Sequence, residues 1–243
     1  MLDGSGHTCI GEIPGVCVVD HSRPPWRGYR LAAMSPVTAV GSDELDLLDW
    51  KRHIFELYAE IRAAEDRRAA WLRWCAVRDE LFRAHPQSPV GEADRESFPG
   101  ARYAPYRPEL ATIGELVPSD ARPVDVGTST GTPIRFRAFA DVRFQLTGED
   151  CSLPAYWLEG YGGGLFLPFG DATNGDTTYG GGRYLLDTIK GSDLGEADGG
   201  IVLDFNFAYN PSCAYDPRWT CPLSPLDSRL EIPVDAGELL PPG

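Results

Sequence analysis

The stretch Ile134-Arg-Phe-Arg-Ala-Phe-Ala-Asp-Val-Arg-Phe-Gln-Leu-Thr147 decides the fold. Ile134, Phe136, Ala138, Ala140, Val142, Phe144 and Leu146 alternate with Arg135, Arg137, Phe139, Asp141, Arg143, Gln145 and Thr147. A period of two puts each set on its own face of an extended chain, so the stretch reads as a half-buried strand, or two strands with a break near Phe139. Further strands read at 153–158, 164–169, 182–187, 201–207 and 229–234, separated by Gly- and Asp-rich turns. Nothing between them has a helical period, so a crossover helix for a βαβ unit is missing. The expected fold class is α+β, with an antiparallel β-barrel or sandwich of about six to eight strands.

Upstream of the deciding stretch, residues 109–130 read as a short strand or two and a polar loop. Phe98-Pro-Gly-Ala-Arg-Tyr-Ala-Pro-Tyr-Arg-Pro108 is extended, because each proline pushes the residue before it out of the helical region. Before that the period is helical. Ser42 is a good N-cap, with Asp43, Glu44 and Asp46 in the first turn, and Leu47, Trp50, Ile54, Leu57, Tyr58 and Ile61 share one face. A second helix starts at Asp66, carries Trp71, Trp74, Cys75, Arg78, Leu81 and Phe82 on one stripe, and stops before Pro86. The join at 63–65 is short, which makes the pair an antiparallel hairpin packed on the β part. The chain therefore divides into 1–41, a helical hairpin with linker over 42–100, and an antiparallel β domain over 101–243.

Residues 1–41 are rich in Gly, Pro and Ser, and Pro24, Pro25 and Pro36 break any helix. We expect this segment to be poorly ordered, and translation starting at Met34 would make the first 33 residues an extension. Cys9 and Cys17, with His7 and His21, fit zinc spacing only loosely.

The formal charge of −14 includes nine acids against Arg218 and Arg229 from Gly191 onward. Such a surface repels phosphate backbones and excludes duplex nucleic acid as a partner. No apolar run reaches the roughly 20 residues that span a bilayer, and the first 22 residues lack the basic start of a signal peptide. A cytoplasmic protein without a membrane partner is expected, with its six cysteines mostly reduced thiols.

Gly127-Thr-Ser-Thr-Gly131 matches a nucleophile elbow in letters only, since a strand follows it and all four histidines precede it. The glycines at 162–164 and 180–182 lack a P-loop ending, and read first as bulges or close strand approach. Their second reading is space for a ligand, with Arg183 as its anion partner or else in an ion pair with Asp187 or Asp204. Asp171, Asn174 and Asp176 could offer oxygens to a cation, but a side-chain-bonded turn fits their spacing better. Cys213 and Cys221 leave several readings open: a disulfide, metal ligands completed by His85, a thiolate nucleophile, or packed thiols. Asp204 and Asn206 form either a polar pocket floor or caps for the turn at Pro211.

The run Phe169-Gly-Asp-Ala-Thr-Asn-Gly, Tyr179-Gly-Gly-Gly-Arg-Tyr-Leu, Asp204-Phe-Asn-Phe-Ala-Tyr-Asn-Pro-Ser-Cys-Ala-Tyr and Thr220-Cys-Pro-Leu resembles the bacterial and archaeal domain-of-unknown-function family 1684. The resemblance runs from about Leu48 through His85-Pro-Gln-Ser-Pro89 to Glu238. The family has Asn-Pro-Pro-Cys where this chain has Asn210-Pro-Ser-Cys213, and Asn-Arg-Leu where it has Ser228-Arg-Leu230. It implies no activity, cofactor or catalytic residue.

From the residues themselves we expect a small-molecule pocket at the strand ends, lined by Arg183, Tyr184, Asp204, Tyr209, Asn210 and the Cys213–Cys221 loop. An enzyme of unspecified reaction is slightly favoured. Asp204 would be its acid/base or orienting carboxylate, and Cys213 its nucleophile or ligand. Arg183, Tyr184, Tyr209, Asn210 and Asp171 would bind the small molecule. No motif names a cofactor, and a homo-oligomer stays open. The alternative is a structural or protein-interaction domain whose Gly, aromatic and Cys motif is architectural.

Overall fold

A computed structural model describes residues 43–242. The readings of 1–41, of the Ser42 cap, and of Cys9, Cys17, His7 and His21 lie outside the described residues. Helix α1, Asp43–Ala63, buries His53, Ile54, Leu57, Tyr58 and Ile61, one stripe at helical spacing. Helix α2, Arg67–Ala84, starts on Asp66, whose carboxylate accepts from the Ala69 amide at 3.0 Å. It buries the expected stripe and also Ala70, Ala76, Val77 and Asp79, because it packs against both α1 and the sheet. The turn that follows is tied by Ser88, whose hydroxyl donates to the Phe82 carbonyl at 2.6 Å and accepts from the Val90 amide at 3.0 Å.

Seven strands form one sheet: β1 Ala111–Val126, β2 Ile134–Leu146, β3 Glu149–Leu158, β4 Leu165–Phe169, β5 Arg183–Asp187, β6 Glu196–Ala197 and β7 Gly200–Asp204. Their order is β5-β4-β3-β2-β1-β7-β6, and every pairing is antiparallel. The deciding stretch is one strand, and the break near Phe139 is a register shift against β3 between Ala138 and Ala140. A two-residue turn joins β2 to β3, with φ of +51° at Thr147 and +90° at Gly148, the left-handed pair that matches strand twist. The sheet curls until Tyr184 of β5 meets Tyr209, beyond the end of β7, through amide bonds of 2.8 and 3.0 Å.

Two expectations are corrected. Residues 109–130 hold one 16-residue strand rather than short pieces and a loop. Pro118 and Pro123 sit inside β1, where β7 pairs only with Ala111 to Gly114, so they fall where one side of the strand is unpaired and a missing N–H breaks no ladder bond. Residues 229–234 form no strand. Their one isolated β-bridge among the described residues joins Arg229 to Gly170, just past β4, and the carbonyls of the tail are claimed by a side chain described below.

The helical hairpin and the curled sheet share one core. Trp74 meets Tyr103 and Phe207 edge-on at 5.5 and 5.6 Å, and Phe82 meets Tyr215 at 5.0 Å.

Candidate functional site

Arg183 sits at the start of β5, fully buried, and Gly182 before it has a φ of +84°. A side chain on Gly182 would run into Ser224 and the Phe169 carbonyl, so the backbone reading of that glycine holds. The Arg183 guanidinium donates to Asp171 at 2.8 Å and to the carbonyls of Val234 at 2.9 Å, Ala236, and Glu238 at 3.3 Å. Burial pulls its pKa down, and the Asp171 carboxylate opposes that. Alternate carbonyls of an extended tail thus bond to one side chain instead of a neighbouring strand. The expected anion anchor is an internal strut, because burial and these acceptors keep it from a ligand.

Asp171 serves the same strut. Its Oδ1 also accepts from the Thr173 amide at 2.7 Å and hydroxyl at 2.5 Å, while Asn174 Oδ1 accepts from the Asp171 amide at 3.1 Å. This is the side-chain-bonded turn, with the Asp171 and Asn174 side chains bonded within it and to Arg183.

Asp204 caps a single helical turn, Phe205–Phe207, rather than the turn at Pro211. Its Oδ1 accepts from the Asn206 amide at 3.1 Å and carboxamide at 2.8 Å, and its Oδ2 accepts from Arg67 at 3.2 Å. Burial pushes its pKa up, with Asn206 and Arg67 opposing. Both oxygens are engaged and Asp204 does not line the cleft below, so the geometry does not support the acid/base role.

Tyr184, Tyr209 and Asn210 do come together. They line a cleft between the helical hairpin and the sheet, with Trp50, Ile54, Arg78 and Phe82 from the helices and Lys190, Ser192 and Ser212 from the loops. Its volume is about 40 Å³, enough for on the order of three waters or a few-atom group. Arg78 donates from Nε at 2.8 Å and Nη2 at 2.6 Å to one oxygen of Glu238, whose other oxygen accepts from the Asn210 amide at 2.7 Å. Burial works against the Arg78 charge most, but the Glu238 carboxylate together with Tyr103, Tyr215 and Tyr58 offsets it and holds its pKa up. The Asn210 Nδ2 donates to Leu239 at 2.8 Å, while its Oδ1 is buried without a hydrogen-bond partner among the described residues. Ser192 donates to the Tyr209 hydroxyl at 3.0 Å. Burial drives the pKa values of Tyr184 and Tyr209 well up, so both stay neutral donors.

Sequence reasoning missed Arg78, Glu238, Trp50, Lys190 and Ser192 as members of one site. The signal for Arg78 was a charge inside an apolar helical stripe, which demands a buried partner.

Cys213 and Cys221 lie beside the cleft, at the far side of Ser212. The Cys213 amide donates to Cys221 Sγ at 3.3 Å, and the Tyr179 hydroxyl is 3.8 Å from Cys213 Sγ. Both are free thiols. The metal reading with His85 finds no support: no three His, Cys, Asp or Glu side chains cluster to hold an ion among the described residues. His85 instead packs on Trp50 and turns its Nε2 toward Asp49 at 3.5 Å, an oxygen that His53 Nε2 also approaches at 3.4 Å.

The sequence matches the family described as protein of unknown function (DUF1684) over residues 96–239. A search of curated proteins finds no match. Among solved structures the chain is similar to an uncharacterised protein of Haloarcula marismortui determined by solution NMR, with 35% identity and a TM-score of 0.51, over 68% of this chain and 90% of that one. The matched residues of the family begin after α2, so Trp50, Ile54, Arg78 and Phe82 bring the helical wall of the cleft from outside that segment.

Proposed function

This chain belongs to the DUF1684 family, whose function is unknown, and we propose that it binds a small polar molecule in the cleft between its helical hairpin and its sheet. The observation that carries this reading is Asn210 Oδ1, a buried acceptor without a hydrogen-bond partner among the described residues, in a cleft walled by aromatic rings. A buried acceptor left unpaired costs about 1–3 kcal/mol, which a ligand N–H or O–H would recover. Trp50, Phe82 and Tyr184 offer apolar faces to the rest of such a ligand, and Lys190 is an exposed cation at the rim.

Binding is favoured over catalysis. Among the described residues no Asp, Glu or His lines the cleft, so these offer no carboxylate or imidazole for general acid–base work. The alternative reading, an architectural motif, fits Asp171, Arg183 and Asp204, whose bonds are internal, but it leaves Asn210 unexplained. The net charge of −14 fits a cytoplasmic protein that avoids nucleic acid. No helix among the described residues is long and apolar enough to cross a membrane.

The test is saturation-transfer NMR with a panel of few-atom polar compounds (formate, acetate, glycolate, formamide, acetamide and urea) on the wild type, Lys190→Ala and Trp50→Ala. We expect at least one compound to receive saturation from the wild type and to lose it in Trp50→Ala. A panel in which nothing binds, or binding indifferent to both substitutions, overturns the cleft as the site.

A further inference from the structure

The thiols of Cys213 and Cys221 form a second centre that ligand binding does not use. Cys213 sits in a short helical turn, Ser212–Ala214, and is partly exposed, while Cys221 is buried. The Cys213 amide donates to Cys221 Sγ at 3.3 Å, which sets the two residues against each other. Each sulfur is held by backbone structure that does not depend on a disulfide. Cys221 is pinned to the β1–β2 connection: its carbonyl accepts from the Ser129 amide at 3.0 Å, its amide donates to Ser129 Oγ at 3.1 Å, and that hydroxyl donates to the Trp219 carbonyl at 2.9 Å. Cys213 is fixed by its turn, where the Ala214 amide donates to Pro211 at 2.9 Å and the Tyr215 amide to Ser212 at 3.0 Å.

The two thiols are also chemically unequal. The neighbouring Cys221 side chain is the main cause that pulls the Cys213 pKa down to about 6, with Ser129 and Tyr179 adding to it against burial. Its proximity to Cys213, with burial, pushes Cys221 up. Tyr179, pushed up to about 12 chiefly by burial, stays protonated as a donor to the sulfur. Near neutral pH the partly exposed member is then a thiolate and the buried member a thiol. A thiolate beside a second thiol is the arrangement of a nucleophile and its resolving partner.

We propose that Cys213 and Cys221 are a hydroperoxide-reactive pair, with Cys213 the attacking sulfur and Cys221 the one that closes the disulfide. In the first step Cys213 S⁻ attacks the terminal oxygen of a hydroperoxide. An S–O bond forms, the O–O bond breaks, and the leaving alkoxide takes a proton from solvent to become the alcohol. The sulfur loses two electrons to the peroxide and becomes a sulfenic acid. In the second step the Cys221 sulfur attacks Cys213. The S–S bond forms, the S–O bond breaks, and hydroxide leaves with the Cys221 proton as water. The sum is one thiolate, one thiol, one hydroperoxide and one proton giving a disulfide, an alcohol and water.

This centre adjoins the cleft at two points. Ser212, immediately before Cys213, lines it, and the carbonyl of Pro222, immediately after Cys221, accepts from the Tyr184 hydroxyl. Closing the disulfide therefore ties together the two segments that form that rim.

The test uses the full chain, reduced, desalted and exposed to hydrogen peroxide near neutral pH, with remaining thiols then blocked by iodoacetamide. Trypsin cuts after Arg218, between the cysteines, so the disulfide would join peptide 191–218 to peptide 219–229. We expect that linked species, reversed by dithiothreitol, while Cys75 and Cys151 are recovered alkylated. In Cys221→Ser the reaction should stop at Cys213, where dimedone captures the sulfenic acid. Recovery of Cys213 and Cys221 both alkylated after peroxide, or capture at Cys151 instead of Cys213, overturns the proposal. A readout on the unaltered protein stands beside these: in mildly acidic buffer iodoacetamide should modify Cys213 about tenfold faster than Cys151, whose pKa burial pushes up. Equal rates would show that Cys213 is not the thiolate the attacking step requires and would overturn the proposal. None of these outcomes requires a ligand in the cleft, so the proposal stands or falls separately from the binding reading.

Discussion

Arg78 of α2 and Glu238 near the end of the chain, 160 positions apart, meet in the core through two hydrogen bonds of 2.8 and 2.6 Å to one carboxylate oxygen. The guanidinium also lies over the rings of Trp74, Phe82 and Tyr209 at 4.8 to 5.0 Å. The pair fastens the helical hairpin to the C-terminal tail, and Arg78 forms part of one wall of the cleft. Removing one partner strands the other charge in the core, so Arg78→Leu should cost about 3–5 kcal/mol in urea denaturation. Arg78→Met combined with Glu238→Leu should cost less than the single change. A loss under about 1 kcal/mol for Arg78→Leu would mean the pair is solvated in solution.

Arg183 makes the second buried connection, and its signature is local. Without it, the carbonyls of Val234, Ala236 and Glu238 lose their common donor. We expect Arg183→Met to destabilise by about 3–5 kcal/mol as well and to speed hydrogen exchange of the amides of Leu230, Glu238 and Leu239 more than those of β2. Uniform acceleration across the sheet would argue against the strut. A ligand found in the cleft should bind this variant, wherever it still folds, much as it binds the wild type.

His85 makes stability depend on pH. Burial lowers its pKa below the ordinary 6.5, with Asp49 opposing and His53 adding to the lowering. The unfolded chain therefore takes up this proton before the folded one. The stability contributed by neutral His85 is complete above about pH 6.5 and is lost as pH falls toward its folded value. Its Nδ1 accepts from the Gln87 amide at 3.0 Å, which only the neutral ring can do. Melting temperature should fall between pH 7 and pH 5, and His85→Asn should flatten that slope. An unchanged slope in the variant would assign the effect to other groups.

Gly182 is the most constrained turn position next to the motif. At φ +84°, a side chain would be strained and would crowd Ser224 and the Phe169 carbonyl. Gly182→Ala should cost at least about 1–2 kcal/mol, read by thermal or urea unfolding. Gly162→Ala, at φ +89° but with open space around it, should cost only the conformational part. Equal costs at the two positions would refute the crowding.

Local pattern determined a large share of this protein. The alternation from Ile134 to Leu146, the stripes from Ile54 to Phe82 and the Asp66 cap encode elements directly, since burial on one face and capping depend on residues a few positions apart. The resemblance of 169–222 to the family was equally a matter of sequence. The partners of the charged residues were another matter. Arg183 reads from sequence as a partner of Asp187 or Asp204, yet it bonds Asp171 and the carbonyls of the tail some 51 to 55 positions on. Arg78 found Glu238 from the opposite end of the described chain. The cleft itself joins Trp50, Arg78, Tyr184, Ser192 and Asn210 from separate elements. No period or spacing records which buried charge meets which, because that choice is made only when the helices close over the curled sheet and every charge that loses water must take the partner within reach.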